Sequence, residues 1–204
     1  MASLPDDATG AGGSFPPITQ ELVMSDSGIG IHTLEESDWD AWWALRLVAL
    51  RGHPDAFGSD YDETVAAGEA SSRDRFVSTA ITGDNRIVGA FTQDDVLIGS
   101  CGIIRHSGAK SRHRMDLWGM YVAPGFRRDG IGNRLAEAII ALARQTDGVI
   151  QIHLTVASHN IAAVTTYYRI GFTMYGREPR SLKLPDRFVD EDLMVLTLDT
   201  ERAK

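Results

Sequence analysis

One cysteine, Cys101, is the only thiol in 204 residues. A lone cysteine closes no internal disulfide and supplies no multi-cysteine metal site; it suits a protein of the reducing cytoplasm. Lysine is nearly as scarce. Of 20 basic residues only Lys110, Lys183 and Lys204 are lysines, and 28 acids bring the formal charge to −8. A broad nucleic-acid surface needs clustered cations, so no nucleic-acid partner is expected. Nowhere do roughly 20 apolar residues run uninterrupted, as a membrane span requires. The N-terminus carries acids and prolines where a secretory signal has a basic and then an apolar stretch. The histidines show no metal-ligand spacing, so no metal is expected either.

What is present describes an ordinary globular chain, 43% hydrophobic and 24% charged. That is enough apolar material for one sizeable core. Residues 1–28 stand apart: they hold Pro5, Pro16 and Pro17, the acids Asp6, Asp7, Glu21 and Asp26, and no Lys or Arg. Such a segment buries too little to offset its ordering entropy, so it reads as a disordered or loosely docked tail before a single domain spanning 29–204.

Apolar periodicity then gives a strand near Gly28–Leu34 and a helix capped by Ser37, with Trp39, Trp43, Leu47 and Leu50 on one face until Gly52. A second helix is expected from Ser71 to Thr82. Arg86–Thr92 and Val96–Arg105, split by Gln93-Asp94-Asp95, form a hairpin signal. A strand over Asp116–Val122 leads to a helix from Gly130 to Gln145 with the stripe Ile131, Leu135, Ile139 and Leu142. The alternation in Ile150–Val156 marks a half-buried strand. A helix over Asn160–Ile170 and short strands at Phe172–Tyr175 and Leu193–Leu198 complete a mixed α/β pattern.

Two stretches carry chemistry. Arg127-Arg128-Asp129-Gly130-Ile131-Gly132-Asn133 sets a glycine-rich turn between a strand and a helix. Glycines let the backbone approach a ligand, and the unpaired amides of a helix start suit a phosphate or pyrophosphate. The loop is neither a Rossmann turn nor a P-loop: it lacks G-x-G-x-x-G and G-K-[ST]. In the second stretch, Asn160 and Tyr167 stand seven residues apart. They differ by only about 20° around a helix and about 10.5 Å along it. An amide and a phenol therefore line one face, with Ala163 between them; an N-cap and a packed ring is the alternative reading.

Together, in the order strand, R-x-x-G-x-G, helix, strand, N-x-x-A-x-x-x-Y-x-x-x-G-F, the two stretches resemble the GNAT superfamily of N-acetyltransferases over roughly residues 29–198. The resemblance implies a mixed sheet, flanked by helices, that splays between the strand Asp116–Val122 and the strand Ile150–Val156. Acetyl-CoA enters that wedge as a substitute strand. The segment Arg127, Arg128, Asp129, Gly130, Ile131, Gly132 and Asn133 would hold its pyrophosphate. Met120, Tyr121 and Val122 would face the pantetheine through the main chain, and Asn160 would bond it. Gly119 would mark a bulge. Tyr167 would protonate the departing thiolate, and Asp116 is the candidate base for the amine. Asp116 has two alternatives: a strand-end charge facing Arg114, or deprotonation through water.

The implied acceptor side carries Asp55, Asp60, Asp62, Glu63, Glu69, Asp186, Asp190, Glu191 and Asp192. Acids facing the cleft would draw in a small cationic amine. A protein lysine or N-terminal acetyltransferase and a non-catalytic acyl-CoA-binding module stay open beside this reading. The protein is expected to act as a monomer or homodimer.

Overall fold

The computed structural model describes residues 28–198; apart from Gly28, the expected tail lies outside them. Seven strands form one sheet: β1 (Gly30–Thr33), β2 (Arg86–Phe91), β3 (Leu97–Arg105), β4 (Arg114–Val122), β5 (Gln151–Ala157), β6 (Thr173–Lys183) and β7 (Phe188–Thr197). They lie in the order β1-β2-β3-β4-β5-β7-β6. Only the β4–β5 pair is parallel, so the sheet is mixed, as expected. The helices are α1 (Trp39–Gly52), α2 (Tyr61–Ala66), α3 (Glu69–Arg75), α4 (Ile131–Gln145) and α5 (Ile161–Arg169).

Alternation along the strands separates two cores. On one face Val88, Ala90, Met115, Leu117 and Ile152 pack under α4, whose stripe Ile131, Leu135, Ile139 and Leu142 is buried as its period predicts. On the other face Ile87, Phe91 and Leu97 pack under α1 and the turn after α3. That second core gathers all four tryptophans of the chain. Trp39 stacks on Trp43 at 5.1 Å, while Trp42 meets Phe76 at 4.9 Å and Trp118 at 6.4 Å. Of the tryptophans of α1, Trp39 and Trp42 are core and Trp43 packs against it.

Four local expectations need correction. The capping contact before α1 is made by Asp38, whose carboxylate accepts from the Glu35 amide at 2.8 Å, and not by Ser37. Trp42 joins Trp39 and Leu50 in the core, whereas Trp43 and Leu47 are only half-buried, because α1 enters one turn earlier through a 3-10 segment over Glu36–Asp38. The second helix starts at Glu69 and loosens at Phe76–Ala80 into a π turn, with the Ile81 amide on the Phe76 carbonyl at 3.1 Å. The last two strands are far longer than expected. β6 is an edge strand carrying mostly exposed polar residues, so it shows no alternation for periodicity to detect.

Candidate active site

β4 and β5 pair over only three rungs, Arg114–Gln151, Met115–Ile152 and Asp116–His153. Past that point a bulge redirects β4. Ser100 pairs with Tyr121 and Gly102 with Trp118, leaving Gly119 and Met120 opposite Cys101 alone. Gly119 adopts φ +65°, which costs other residues about 1–2 kcal/mol and explains the glycine. Bulges increase local twist, so the free ends of β4 and β5 diverge. The fork opens into a cleft of about 1040 Å³. Met120, Tyr121 and Val122 form one wall, Ala157 and α5 the other, and His53–Phe57 a third side.

The glycine-rich loop closes one end of this cleft. Gly130 caps α4 at φ +73°, and Arg128 is also left-handed at φ +77°. A Cβ added at Gly130 or Gly132 would meet nothing within 4 Å, so both glycines face open cleft. The first amides of α4 have no intrahelical acceptor and sit at its positive end. This cradle fits a pyrophosphate. Ile131 is buried in the core and offers the loop only its main chain. Arg127 is already engaged: Nε donates to the Val122 carbonyl at 2.9 Å, and Nη2 to His53 Nε2 at 2.9 Å. Arg128, Gly130, Gly132 and Asn133 line the cleft, but Asp129 does not.

On α5, Asn160 Oδ1 accepts from the Ala163 amide at 3.2 Å and so caps the helix. Tyr167 lines the cleft from a buried position, its ring edge-on to Phe172. Burial, and then the neighbouring Cys101, push its pKa well above the usual phenol value. The group is therefore protonated throughout the working pH range. Cys101 is fully buried and its thiol pKa is likewise raised by burial, which keeps it inert.

Asp116 is not in the lining. Its Oδ2 lies 2.9 Å from His106 Nε2, so its partner is this histidine and not Arg114. It occupies the last rung before the fork, opposite His153 of β5. Burial, reinforced by Arg114 and opposed by Asp116, lowers the His153 pKa and favours the neutral ring. Sequence reading missed His153. The β5 alternation places it on the face away from Ile152 and Leu154, but only the register with β4 brings it to the fork.

The acids expected to steer a cationic acceptor are mostly committed elsewhere. Asp55 alone lines the cleft, and it holds His159 at 3.0 Å and Arg187 at 2.9 Å. Asp60 caps α2, Glu69 accepts from Trp39 Nε1, and Asp186 pairs with Arg187. Asp190 accepts from the Arg180 amide, Glu191 from Ser181, and Asp192 from Arg177 at 2.6 Å. Asp62 and Glu63 lie outside the lining. Among the described residues, the cleft lining offers no free carboxylate to a cation.

A half-buried cation stands beside the fork instead. Arg46 of α1 donates through Nη2 to Ser59 Oγ at 3.2 Å, under the ring of Phe57 at 4.9 Å. Its Nη1 is buried without an acceptor. Such an orphaned donor costs about 1–3 kcal/mol, and more for a charged group. Burial alone brings the guanidinium pKa down to about 10, so it stays charged at neutral pH. No motif announces Arg46, which in sequence looks like one more helical arginine.

No helix among the described residues is long and apolar enough to cross a membrane. The protein is similar in structure to an acetyltransferase of the GNAT family from Streptococcus pneumoniae, with 23% identity over 83% of this chain and 99% of that one, TM-score 0.74. It is similar to a GCN5-related N-acetyltransferase from Kribbella flavida, with 22% identity over 85% and 100% of the two chains, TM-score 0.68. A phosphinothricin acetyltransferase from Sinorhizobium meliloti in complex with acetyl-CoA shares 17% identity over 87% and 92%, TM-score 0.72. These likenesses bear on the fold. A search of curated proteins found no match. The sequence model of the acetyltransferase (GNAT) family matches residues 39–172, about two thirds of the chain. That span runs from α1 through the fork and the glycine loop to the Gly171-Phe172 that closes α5, and on this ground the protein belongs to the acetyltransferase (GNAT) family.

Proposed function

We propose that the protein transfers the acetyl group of acetyl-CoA to a primary amine by direct attack. The observation that carries this reading is the fork itself: a strand-shaped opening with a glycine cradle at one end and a buried phenol on its wall. The Sinorhizobium meliloti relative, solved with acetyl-CoA, supports the same ligand here. The amides from Arg128 to Asn133, with the Arg128 side chain, would hold the pyrophosphate. The free edge of β4 at Met120 and Tyr121 would pair with the pantetheine. The Val122 carbonyl would contribute little, since Arg127 already occupies it. Asn160 keeps its amide nitrogen for the same arm while its oxygen caps α5.

Acetyl-CoA supplies an already activated acyl group, so positioning and charge stabilisation are what remains for the protein. Tyr167 donates a hydrogen bond to the departing sulfur. A phenol is a weaker acid than a free thiol, but the burial that raises Tyr167 also raises a thiol placed beside it, narrowing the gap. Asp116, outside the lining and held by His106, would take the amine proton through water and not by contact. A single buried thiol is consistent with a cytoplasmic setting.

Thiol release from acetyl-CoA across a panel of amines, with products identified by mass, tests the reading. Amine-dependent release with formation of an N-acetyl product is the expected result. Tight acetyl-CoA binding with no release for any amine would make the protein a binding module.

A further inference from the structure

We infer that Arg46 binds a carboxylate of the acceptor, so that the amine substrate is a small amino-acid-like zwitterion; this rests on the N-acetyltransferase reading. Arg46 Nη1 lies 3.7 Å from the point where a Cβ on Gly119 would sit, which puts it beside the bulge at the fork. It is buried and lacks an acceptor. Among the described residues the other buried side-chain atoms without a partner are Arg114 Nε and Trp118 Nε1, both also donors. The acceptor that Arg46 Nη1 lacks beside the bulge is one that an oxyanion would supply.

Among the described residues, no acid lining the cleft is free to take that role. The one carboxylate lining the cleft, Asp55, is held by Arg187 and His159. Phe57 covers the Arg46 guanidinium and also lines the cleft, so a shift of this one ring would connect the buried donor with the cleft. The position also constrains the ligand. The amine must reach the acyl group at the fork, and Arg46 is beside the fork, so amine and carboxylate must be a few bonds apart. A guanidinium suits such a ligand because its fork of donors matches a carboxylate.

The test compares free α-amino acids with their amides and with the corresponding decarboxylated amines. Two readouts are taken: kcat/KM for thiol release, and calorimetric binding of each compound to the protein with CoA present. For the wild type, the acid of at least one side-chain type should exceed its amide roughly 30-fold or more in both readouts, the scale of a buried charge contact. Arg46→Gln should bring acid and amide within about threefold while leaving the KM for acetyl-CoA unchanged, and Arg46→Lys should restore part of the preference. The wild-type comparison decides the question even if a variant folds poorly. Amides or decarboxylated amines used or bound as well as acids would overturn the role of Arg46 and leave acetyl transfer standing. Acids bound through Arg46 with no thiol release would do the reverse.

Discussion

The two sides of the cleft are built by different means. On the α4–α5 side the backbone is what the cleft presents: a glycine-capped helix start, two glycines open to the cleft and the free edge of β4. On the α1 side, side chains converge from segments far apart in sequence. Arg46 comes from α1, Phe57 from the loop after it, Asp116 from β4 and His153 from β5. Backbone recognition tolerates few residue types and repeats at short spacing, so it leaves a motif. Side-chain recognition is assembled by register and packing, and it can be rebuilt for a new acceptor without disturbing the other side. One half of the site can thus be common to a family while the other sets the individual substrate.

The sharpest way to break this contrast is at Gly132. A Cβ there meets nothing within 4 Å, so Gly132→Ala should be tolerated. Gly132→Glu sends a charged chain into the cradle and should weaken acetyl-CoA binding by roughly 100-fold or more, about 2.7 kcal/mol. Calorimetry on both folded variants makes the comparison. Equal, unchanged affinity in both would mean that the pyrophosphate lies elsewhere. At Gly130 even alanine should cost stability, about 1–2 kcal/mol, because φ is +73°.

Next in size is Tyr167→Phe, which removes a hydroxyl and keeps the ring against Phe172. A kcat loss of about 10- to 100-fold with retained acetyl-CoA affinity is expected for an acid of this kind. Because burial raises the phenol pKa, Tyr167 should impose no falling limb on the wild-type rate below about pH 10. A limb near pH 8 that disappears in Tyr167→Phe would contradict this assignment.

The same contrast explains what could be read before the fold was known. Gly130, Gly132, Asn160 and Tyr167 sit in two short stretches whose spacing is fixed by two helix turns or one loop, and all four line the cleft. The stripe of α4 was equally legible, because its period is local. β6 was not, since an edge strand with both faces exposed needs no apolar alternation. Trp42 falls outside the expected stripe because the 3-10 entry to α1 rotates the helix relative to its expected cap. The acids were visible, but their commitments were not: Asp55 meets Arg187 across 132 positions and His159 across 104. Charge in a sequence is a count, and charge in a site is whatever the pairing leaves over.

The smallest expected effect concerns the loop that spans both sides. His53 touches Arg127 of the glycine-rich loop, while Asp55 ties the same segment to His159 and to Arg187 in the β6–β7 turn. Burial is the largest single influence on Asp55 and raises its pKa. The hydrogen bonds from His159, from its own backbone and from Arg187, with the charge of His159, together outweigh burial and leave the pKa below the ordinary value. A carboxyl depressed on folding binds fewer protons in the native state than in the unfolded one. Its stabilisation is therefore complete above the ordinary aspartate pKa of about 4, and it is lost as the pH falls through the native value. The partners are half exposed, so the pair contributes about 1 kcal/mol at most, or roughly 2–4 °C in Tm for a chain of this size. Asp55→Asn should melt below the wild type by that margin at pH 6, and the gap should close as the pH drops below about 4. A gap that stays constant down to pH 3 would show that Asp55 holds the loop by shape and not by charge. The two sides of the cleft would then be joined by packing alone.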